Sequence, residues 1–276
     1  MKDLFYRLII YINTADEKDT YYNVAWYMAN HIDGIASMRI NELADACYVS
    51  PATISRFCRA LGYENFAHLK QECMSFHSHA KKFNNLIHIP IKIMKDDPKK
   101  ATQLYVNELT TVLGRLPKVL NWDVIDQVLM EIHDTKNVTF FGTQFSNSAA
   151  IHFQTDLLML EKFTTAFMVG ERQLEMAKRM KKGDLAIIVS VNGNYAYSHK
   201  TLQYLKKSGC TIVLITCMDQ NILNIPPDYT IYIGTPKDGK SGKHSLLALM
   251  ELMSLRYYAL FSPSLEGLEE NIVKEV

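Results

Sequence analysis

The sequence predicts an all-helical N-terminal domain followed by a doubly wound α/β domain built on a parallel sheet. Up to about Phe76, apolar residues recur only with the spacing of amphipathic helices. From Asn137 onward, short β-branched and aromatic runs alternate with helical segments, which is typical of βαβ units. A chain of 276 residues is long enough for two domains of ordinary size.

Five runs carry the strand pattern in the second half, and they cover residues 138–141, 163–169, 185–190, 211–216 and 229–233. Between the two patterns lies a segment with six lysines and two prolines, residues 78–100, whose composition is typical of a solvated connector. We therefore predict an N-terminal domain over residues 1–77, a basic linker over 78–100 and an α/β domain over 101–276.

The composition excludes several classes of protein. Lys plus Arg (30) nearly balances Asp plus Glu (29), so the chain as a whole does not attract polyanions. No window of the sequence approaches the roughly 18 apolar residues that a membrane helix needs, and residues 1–13 lack the cleavage site of a secretory signal. The five cysteines are odd in number and scattered, which argues against a disulfide framework and a zinc site. We expect a cytoplasmic protein without a metal or another cofactor.

Two short helices joined by a tight turn are predicted between residues 40 and 62. Ser50 is a good N-cap for the second helix, because its hydroxyl can accept from an N–H of the first turn, and Pro51 suits the first helical position. Gly62 is expected to end this helix as a C-cap. Its buried stripe, spaced i, i+3, i+4 and i+7, consists of Ile54, Phe57, Cys58 and Leu61. Such a pair of helices is a helix-turn-helix.

The opposite face of the second helix has the composition of a helix that enters the major groove of DNA. Arginine can bond guanine edges with two hydrogen bonds, and serine or threonine can reach phosphates or bases. No acidic residue lies between Ser50 and Tyr63. The alternative is that these polar side chains only keep a surface helix soluble. The candidate DNA-binding residues are Ser50, Ala52, Thr53, Ser55, Arg56 and Arg59.

Local charge does not strengthen this interpretation. Residues 1–80 hold seven Lys or Arg and nine Asp or Glu, a net charge of −2. Because electrostatic affinity for DNA grows with the number of phosphates neutralised, one subunit is expected to bind modestly, which favours a homodimer or a dimer of dimers. The apolar last helix, residues 243–261, is predicted to be either core or a contact between subunits.

The segment from Ile40 to Lys70 resembles the helix-turn-helix of the RpiR/MurR family of bacterial transcriptional regulators. The resemblance implies a regulator that binds a double-stranded DNA operator. One departure is Cys47, where the family often has a glycine in the turn. The matching residues are Glu42-Leu43-Ala44, Val49-Ser50, Ala52-Thr53, Ser55-Arg56-Phe57, Leu61-Gly62-Tyr63, Phe66 and Leu69-Lys70.

Two loops of the α/β domain are candidates for holding a phosphate. The first, residues 142–148, is rich in Ser and Thr and precedes a helix, whose N-terminus offers N–H donors and a positive dipole. The second, residues 191–195, follows the strand that ends at Ser190. Ligands of parallel sheets bind beyond the carboxyl ends of the strands, so both loops are expected at one edge of the sheet.

The spacing of these loops is similar to that of a sugar isomerase (SIS) domain, the usual C-terminal partner in the RpiR family, over roughly residues 101–261. The resemblance implies a sugar-phosphate site formed by both loops. Three residues depart from the family pattern: Gln144 replaces a glycine of the first loop, Asn192 replaces a serine of the second, and Tyr195 replaces its threonine. The candidate ligand-binding residues are Gly142, Thr143, Gln144, Ser146, Ser148, Ser190, Asn192, Gly193, Asn194 and Tyr195.

No residue is predicted to be catalytic. An isomerase needs an acid or base over the sugar carbon, and none of the titratable candidates stands in a motif that fixes such a role. We therefore expect a transcriptional regulator rather than an enzyme, whose SIS-like domain dimerises and senses a sugar phosphate. Two alternatives stay open at this point, a phosphosugar isomerase and a DNA-binding oligomer whose SIS-like site binds nothing. The titratable candidates are His152, Glu161, Glu171, Glu175 and His244.

Overall fold

A computed structural model describes residues 4–74, 91–238 and 242–262 of the chain. The chain divides into two compact units, residues 1–91 and 92–276. The division falls inside the predicted linker. Of the helices that the structure describes, none combines the length and the hydropathy that crossing a bilayer requires.

The described part of the N-terminal unit is helical, as the sequence predicts. Its core is a single apolar cluster to which all six helices contribute, for example through Leu8, Met28, Leu43 and Phe57. The ring of Tyr11 meets that of Phe57 edge to face at 5.7 Å, which joins the first helix to the fifth. The helices are α1 (Leu4–Thr14), α2 (Thr20–Asn30), α3 (Ile32–Ile35), α4 (Ile40–Ala46), α5 (Pro51–Ala60) and α6 (Phe66–Met74).

Helices α4 and α5 form the predicted helix-turn-helix. Ser50 caps α5, since its Oγ accepts from the Thr53 N–H at 3.1 Å. At the other end, Gly62 has φ 81°, and two backbone hydrogen bonds close the helix. The Gly62 N–H donates to the Arg59 carbonyl, and the Tyr63 N–H donates to the Cys58 carbonyl. Both predicted caps are therefore confirmed.

The second unit is a parallel sheet with helices on both faces, which confirms the predicted fold class. The strand order is β2-β1-β3-β4-β5, and every pair is parallel. The strands are β1 (Val138–Gly142), β2 (Thr165–Ala166), β3 (Leu185–Val189), β4 (Thr211–Thr216) and β5 (Tyr229–Tyr232). The helices are α7 (Ile91–Asp96), α8 (Pro98–Leu113), α9 (Leu116–Val119), α10 (Trp122–Asp134), α11 (Phe145–Met159), α12 (Gly170–Arg179), α13 (His199–Ser208) and α14 (Gly242–Phe261).

Alternate residues of the central strands enter two separate cores. Phe140 and Ile187 join the core that α10, α11 and α14 cover. Phe141 and Ile188 join the core that α12 and α13 cover. Strands β1 and β3 are buried along their whole length, which explains why they read as continuous apolar runs instead of alternating ones.

The predicted strand over residues 163–169 is wrong in extent, because only Thr165–Ala166 pair with β1. The carbonyl of Thr164 accepts from the Gln154 side chain at 2.6 Å, and that of Phe167 accepts from a glutamine side chain of α12. These two carbonyls are therefore taken out of the ladder, and β2 is a short edge strand.

The predicted linker is partly helical. Residues 91–96 form α7, and α8 begins at Pro98, inside the predicted linker. Asp97 caps α8 by accepting from the Lys100 N–H at 2.9 Å, and Pro98 occupies the first helical position. Residues 78–90 of the predicted linker lie outside the described residues.

Candidate DNA-binding helix and effector site

Helix α5 has one buried face and one exposed face. Its buried residues are Ile54, Phe57 and Cys58. Of the candidate DNA-binding residues, Thr53 and Ser55 are half-buried, and the others are exposed: Ser50, Ala52, Arg56 and Arg59. Among the described residues, neither arginine of α5 forms an ion pair, so both guanidinium groups are available to an external anion.

The first turn of α5 is held rigidly. The hydroxyls of Ser50 and Thr53 are 2.9 Å apart, and Arg56 reaches the Thr53 hydroxyl at 3.5 Å, a weak contact. Lys70, which belongs to the family-like tail of the motif, donates to the Met38 carbonyl at 2.8 Å. It therefore ties α6 to the chain that enters α4.

The turn between α4 and α5 contains one left-handed residue. Cys47 is the residue at which the sequence departs from a glycine that is common in the family. It has an ordinary φ of −95° and is buried. The left-handed residue is Tyr48, with φ 56°. Two hydrogen bonds fix this turn, from Tyr48 N–H to Asp45 and from Val49 N–H to Ala44. The residue of this turn in need of glycine-like freedom is thus Tyr48, and Cys47 is tolerated because its φ stays negative.

The first candidate loop joins β1 to α11 at the carboxyl edge of the sheet. A Cβ at Gly142 would lie 3.2 Å from Asn147 N and 3.3 Å from Val189 O, so the loop packs tightly against the end of β3. Gln144 adopts φ 50° and ψ −125°, a conformation that suits glycine. Thr143 and Ser148 are exposed like Gln144, and Ser146 is half-buried at the start of α11.

The second candidate loop follows β3 at the same edge. Ser190 is buried, and its Oγ accepts from the Tyr195 N–H at 3.0 Å. Gly193 has φ 72°, and a Cβ there would lie 2.6 Å from Ile222 Cγ1. Asn192 and Asn194 are exposed. The structure therefore brings the two predicted loops to neighbouring strand ends, with their exposed polar residues accessible to a ligand.

Tyr195 has a different role from the threonine that it replaces. Its side chain is 1 % exposed and joins the core under α12 and α13. Its hydroxyl donates to Gln173 Oε1 at 2.7 Å. Burial raises the pKa of Tyr195 well above its ordinary value, so the hydroxyl stays protonated and serves as a donor. Tyr195 can contribute its backbone to a ligand site, but its hydroxyl is already used.

Gln173 is the residue of this region that the sequence analysis missed. From α12, its Nε2 donates to the carbonyls of Gly142 and Phe167, each at 2.7 Å. Together with its bond from Tyr195, it links the two candidate loops through one buried amide. The sequence did contain a signal for it. Gln173 lies on the apolar face of its helix, since Ala177 follows four residues later and Met180 seven residues later.

Two further buried polar residues lie beside the loops. Asn147 in α11 and Ser245 in α14 are fully buried, and among the described residues their side-chain polar atoms have no hydrogen-bond partner. Ser254 donates to Asp156 at 2.7 Å, which fixes the register of the two helices. Asn147 and Ser245 each precede that contact by nine residues, so they lie at one level near the N-termini of α11 and α14.

Two of the titratable candidates for an isomerase are engaged with other side chains, and two more are exposed. Glu175 pairs with Lys178 at 2.6 Å, and His244 is bonded to the Tyr105 hydroxyl at 2.9 Å. His152 and Glu161 lie exposed on α11 and just after it. Across residues 4–74, 91–238 and 242–262, no group of three metal-ligating side chains is found.

Two family models match the chain. A model described as the helix-turn-helix domain of the rpiR family matches residues 13–78, and the SIS domain model matches residues 131–262. The chain belongs to the RpiR family of transcriptional regulators. The resemblance that the sequence motifs indicated is confirmed.

Individual relatives agree with this family. An uncharacterised helix-turn-helix regulator of Caldanaerobacter subterraneus is 25 % identical over 213 residues, which cover 77 % of this chain and 74 % of the relative. The regulator HexR of Pseudomonas aeruginosa is 23 % identical over 248 residues, 85 % of this chain and 84 % of HexR. Among solved structures, NanR of Vibrio vulnificus complexed with ManNAc-6P matches with a TM-score of 0.53 at 16 % identity, covering 94 % of this chain and 92 % of that one. This likeness extends the shared fold to both units of this RpiR-family regulator.

Proposed function

We propose that this RpiR-family regulator binds a specific DNA operator through α5, with Ser50, Thr53, Ser55, Arg56 and Arg59 contacting bases and phosphates and Ala52 allowing close approach. The observation that carries the proposal is that Arg56 and Arg59 lie on an exposed helix face without acidic residues and form no ion pair among the residues that the structure describes. Arginine in this setting offers two parallel donors to guanine or phosphate. The N-cap bond at Ser50 holds the first turn, the part of the helix that commonly reads bases.

The test is DNA binding by the full chain. An operator fragment is first selected from the protein's own genome, and fluorescence anisotropy then measures its affinity over a range of salt concentrations. We expect the double variant Arg56→Ala/Arg59→Ala to lose at least about tenfold in affinity and to bind with a shallower salt dependence, because fewer counterions are released. Lys18→Ala, an exposed cation in the loop before α2, is the matched control. Unchanged affinity and salt dependence in the double variant would refute the assignment of α5.

We further propose that the SIS domain binds a sugar phosphate between the loops at residues 142–148 and 190–195. Three observations support it: the loops end neighbouring strands, the first turn of α11 carries the half-buried Ser146, and a structurally similar protein is complexed with the sugar phosphate ManNAc-6P. Backbone N–H groups at such a helix start favour a phosphate. Because the hydroxyl of Tyr195 is committed to Gln173, the second loop would contribute Ser190, Asn192, Gly193 and Asn194.

A thermal-shift screen with aldose and ketose phosphates tests this site. A ligand at about 100 times its Kd adds about 2.7 kcal/mol, which raises Tm by about 5 °C or more in a domain of this size. The shift should be lost in Ser146→Ala and Ser190→Ala and kept in Thr155→Ala, an exposed position farther along α11. If no sugar phosphate of a broad panel shifts Tm, the second candidate function is favoured, a DNA-binding oligomer without an effector. The departures from the family pattern at Gln144 and Tyr195 support that candidate.

We propose that the SIS domain also forms the homodimer. Large exposed apolar side chains close in sequence to the Ser254–Asp156 contact support this: Leu158 and Met159 at the end of α11 and Leu255 on α14, exposed by 58 %, 72 % and 67 %. Large exposed side chains that lie together favour an interface. Light scattering should give a smaller mass for Leu255→Glu but not for Met130→Glu, an exposed position on α10. A dimer that persists in Leu255→Glu would exclude this surface.

We propose that the effector regulates DNA binding by changing how the two subunits of the dimer are arranged. Effector binding would favour one of two arrangements of the dimer, in which the distance between the two α5 helices does or does not match the operator half-sites. We propose no catalytic activity, since Glu175 and His244 are engaged with other side chains and no titratable candidate stands in a motif that fixes a catalytic role. Steady turnover of an aldose or ketose phosphate by the purified protein would contradict that. As a DNA-binding regulator, it would act in the cytoplasm.

A further inference from the structure

Tyr48, in the turn between α4 and α5, is an exposed aromatic residue in a strained conformation. Its side chain is 97 % exposed, and its φ is 56°. A bulky residue is rarely found in this left-handed region, where glycine or asparagine is favoured. The two hydrogen bonds that close the turn use the backbones of Tyr48 and Val49, so the turn itself needs no tyrosine side chain.

The folded domain gains nothing from the ring. Packing requires contact with other side chains, and a residue 97 % exposed has almost none. Among the described residues, no hydrogen bond or ring contact involves the Tyr48 side chain. A strained, unpacked aromatic side chain therefore points to a contact outside the chain.

The position of Tyr48 identifies that contact. Tyr48 precedes the N-cap Ser50 by two residues, so their Cα atoms are at most about 7 Å apart. This is the N-terminal end of the helix proposed to read the operator. Tyrosine hydroxyls are among the groups that bond DNA phosphates, and such contacts fix the register of a recognition helix without reading sequence.

We propose that Tyr48 contacts the sugar–phosphate backbone of the operator beside the end of α5 and thereby positions this helix in the groove. The inference rests on the proposed DNA-binding function of α5 and adds a residue outside the helix itself. The contact is neutral: the hydroxyl donates to a phosphate oxygen, and the ring packs on the adjacent sugar. It is therefore expected to stabilise operator and non-operator duplexes by similar factors.

Anisotropy with the full chain, the operator and a scrambled duplex tests the contact. Tyr48→Gly and Tyr48→Asn remove the ring and keep a residue suited to positive φ. We expect both variants to lose about three- to tenfold in affinity for each duplex, as for the loss of one hydrogen bond together with the packing of the ring on the sugar, while Tm stays equal or rises. Tyr48→Phe, which keeps the ring, should lose less. Trp26→Ala, at an exposed aromatic residue of α2, is the control and should bind as the unchanged chain does.

The outcomes separate this inference from the function on which it rests. If Tyr48→Gly and Tyr48→Asn bind both duplexes with unchanged affinity while Arg56→Ala/Arg59→Ala loses affinity, Tyr48 is not a DNA contact and the inference fails alone. If the arginine variant also binds normally, the assignment of α5 fails first. A loss confined to protein–protein association in the Tyr48 variants, with DNA affinity intact, would likewise overturn the inference.

Discussion

The hydroxyl of Tyr195 donates to Gln173 Oε1 at 2.7 Å, and the amide of Gln173 donates in turn to the Gly142 carbonyl at 2.7 Å. This buried chain of bonds connects the ends of β1 and β3, from which both candidate effector loops start. Tyr195 therefore acts as a structural anchor beneath the loops. A movement of either loop on ligand binding would be transmitted to the other loop through the side-chain amide of Gln173.

Tyr195→Phe should destabilise the protein by about 1–3 kcal/mol. It removes one hydrogen bond and leaves Gln173 Oε1 buried without its donor. Urea denaturation measures the change in the free energy of unfolding. Tyr229→Phe is the control, because the Tyr229 hydroxyl is 3.5 Å from Glu131 and only part-buried, and we expect a change within about 0.5 kcal/mol. Equal effects of the two substitutions would contradict the anchoring role.

Gln144→Gly should stabilise the protein by about 1 kcal/mol. At φ 50° and ψ −125°, glutamine pays a conformational penalty that glycine avoids. Thr143→Gly, one residue earlier and without a positive φ, should instead lower Tm. If Gln144→Gly lowered Tm as Thr143→Gly does, the strain assigned to Gln144 would not exist.

Gly193→Ala should cost more than Gly209→Ala. Both glycines are left-handed, with φ 72° and 68°, so the backbone conformation alone should make each alanine variant less stable by about 1–2 kcal/mol. Only at Gly193 does a Cβ meet another atom, Ile222 Cγ1 at 2.6 Å, which adds about 1–3 kcal/mol of overpacking. The difference between the two unfolding free energies isolates the steric part. A difference near zero would mean that the second loop yields freely at Ile222.

Ser245→Ala should raise stability slightly, by up to about 1 kcal/mol. Its buried Oγ lacks a partner among the described residues, so the substitution removes an unsatisfied group and adds a better helix former. Ser254→Ala, nine residues later on α14, should lower stability, because Ser254 donates to Asp156 at 2.7 Å. A clear loss in Ser245→Ala would reveal that its hydroxyl is hydrogen-bonded in solution.

The local elements of this protein could be predicted from the sequence, since the signals lie within a few residues of each other. The N-cap at Ser50, the C-cap at Gly62 and the buried strands β1, β3 and β4 all follow from short-range patterns. The family motifs around α5 lie in one continuous segment, so the sequence alone was enough to recognise them. The short β2 was misjudged, because the competing partners of its carbonyls are side chains elsewhere in the chain.

Only the tertiary structure decided how the candidate sites are supported. Tyr195 and Gln173 are 22 positions apart, and no spacing rule relates a residue of this loop to the helix that precedes β3. The level shared by Asn147 and Ser245 depends on how α11 and α14 pack against each other on one face of the sheet. The left-handed residue of the turn between α4 and α5 is Tyr48, and its position follows from the backbone hydrogen bonds at the end of α4, which residue type did not predict.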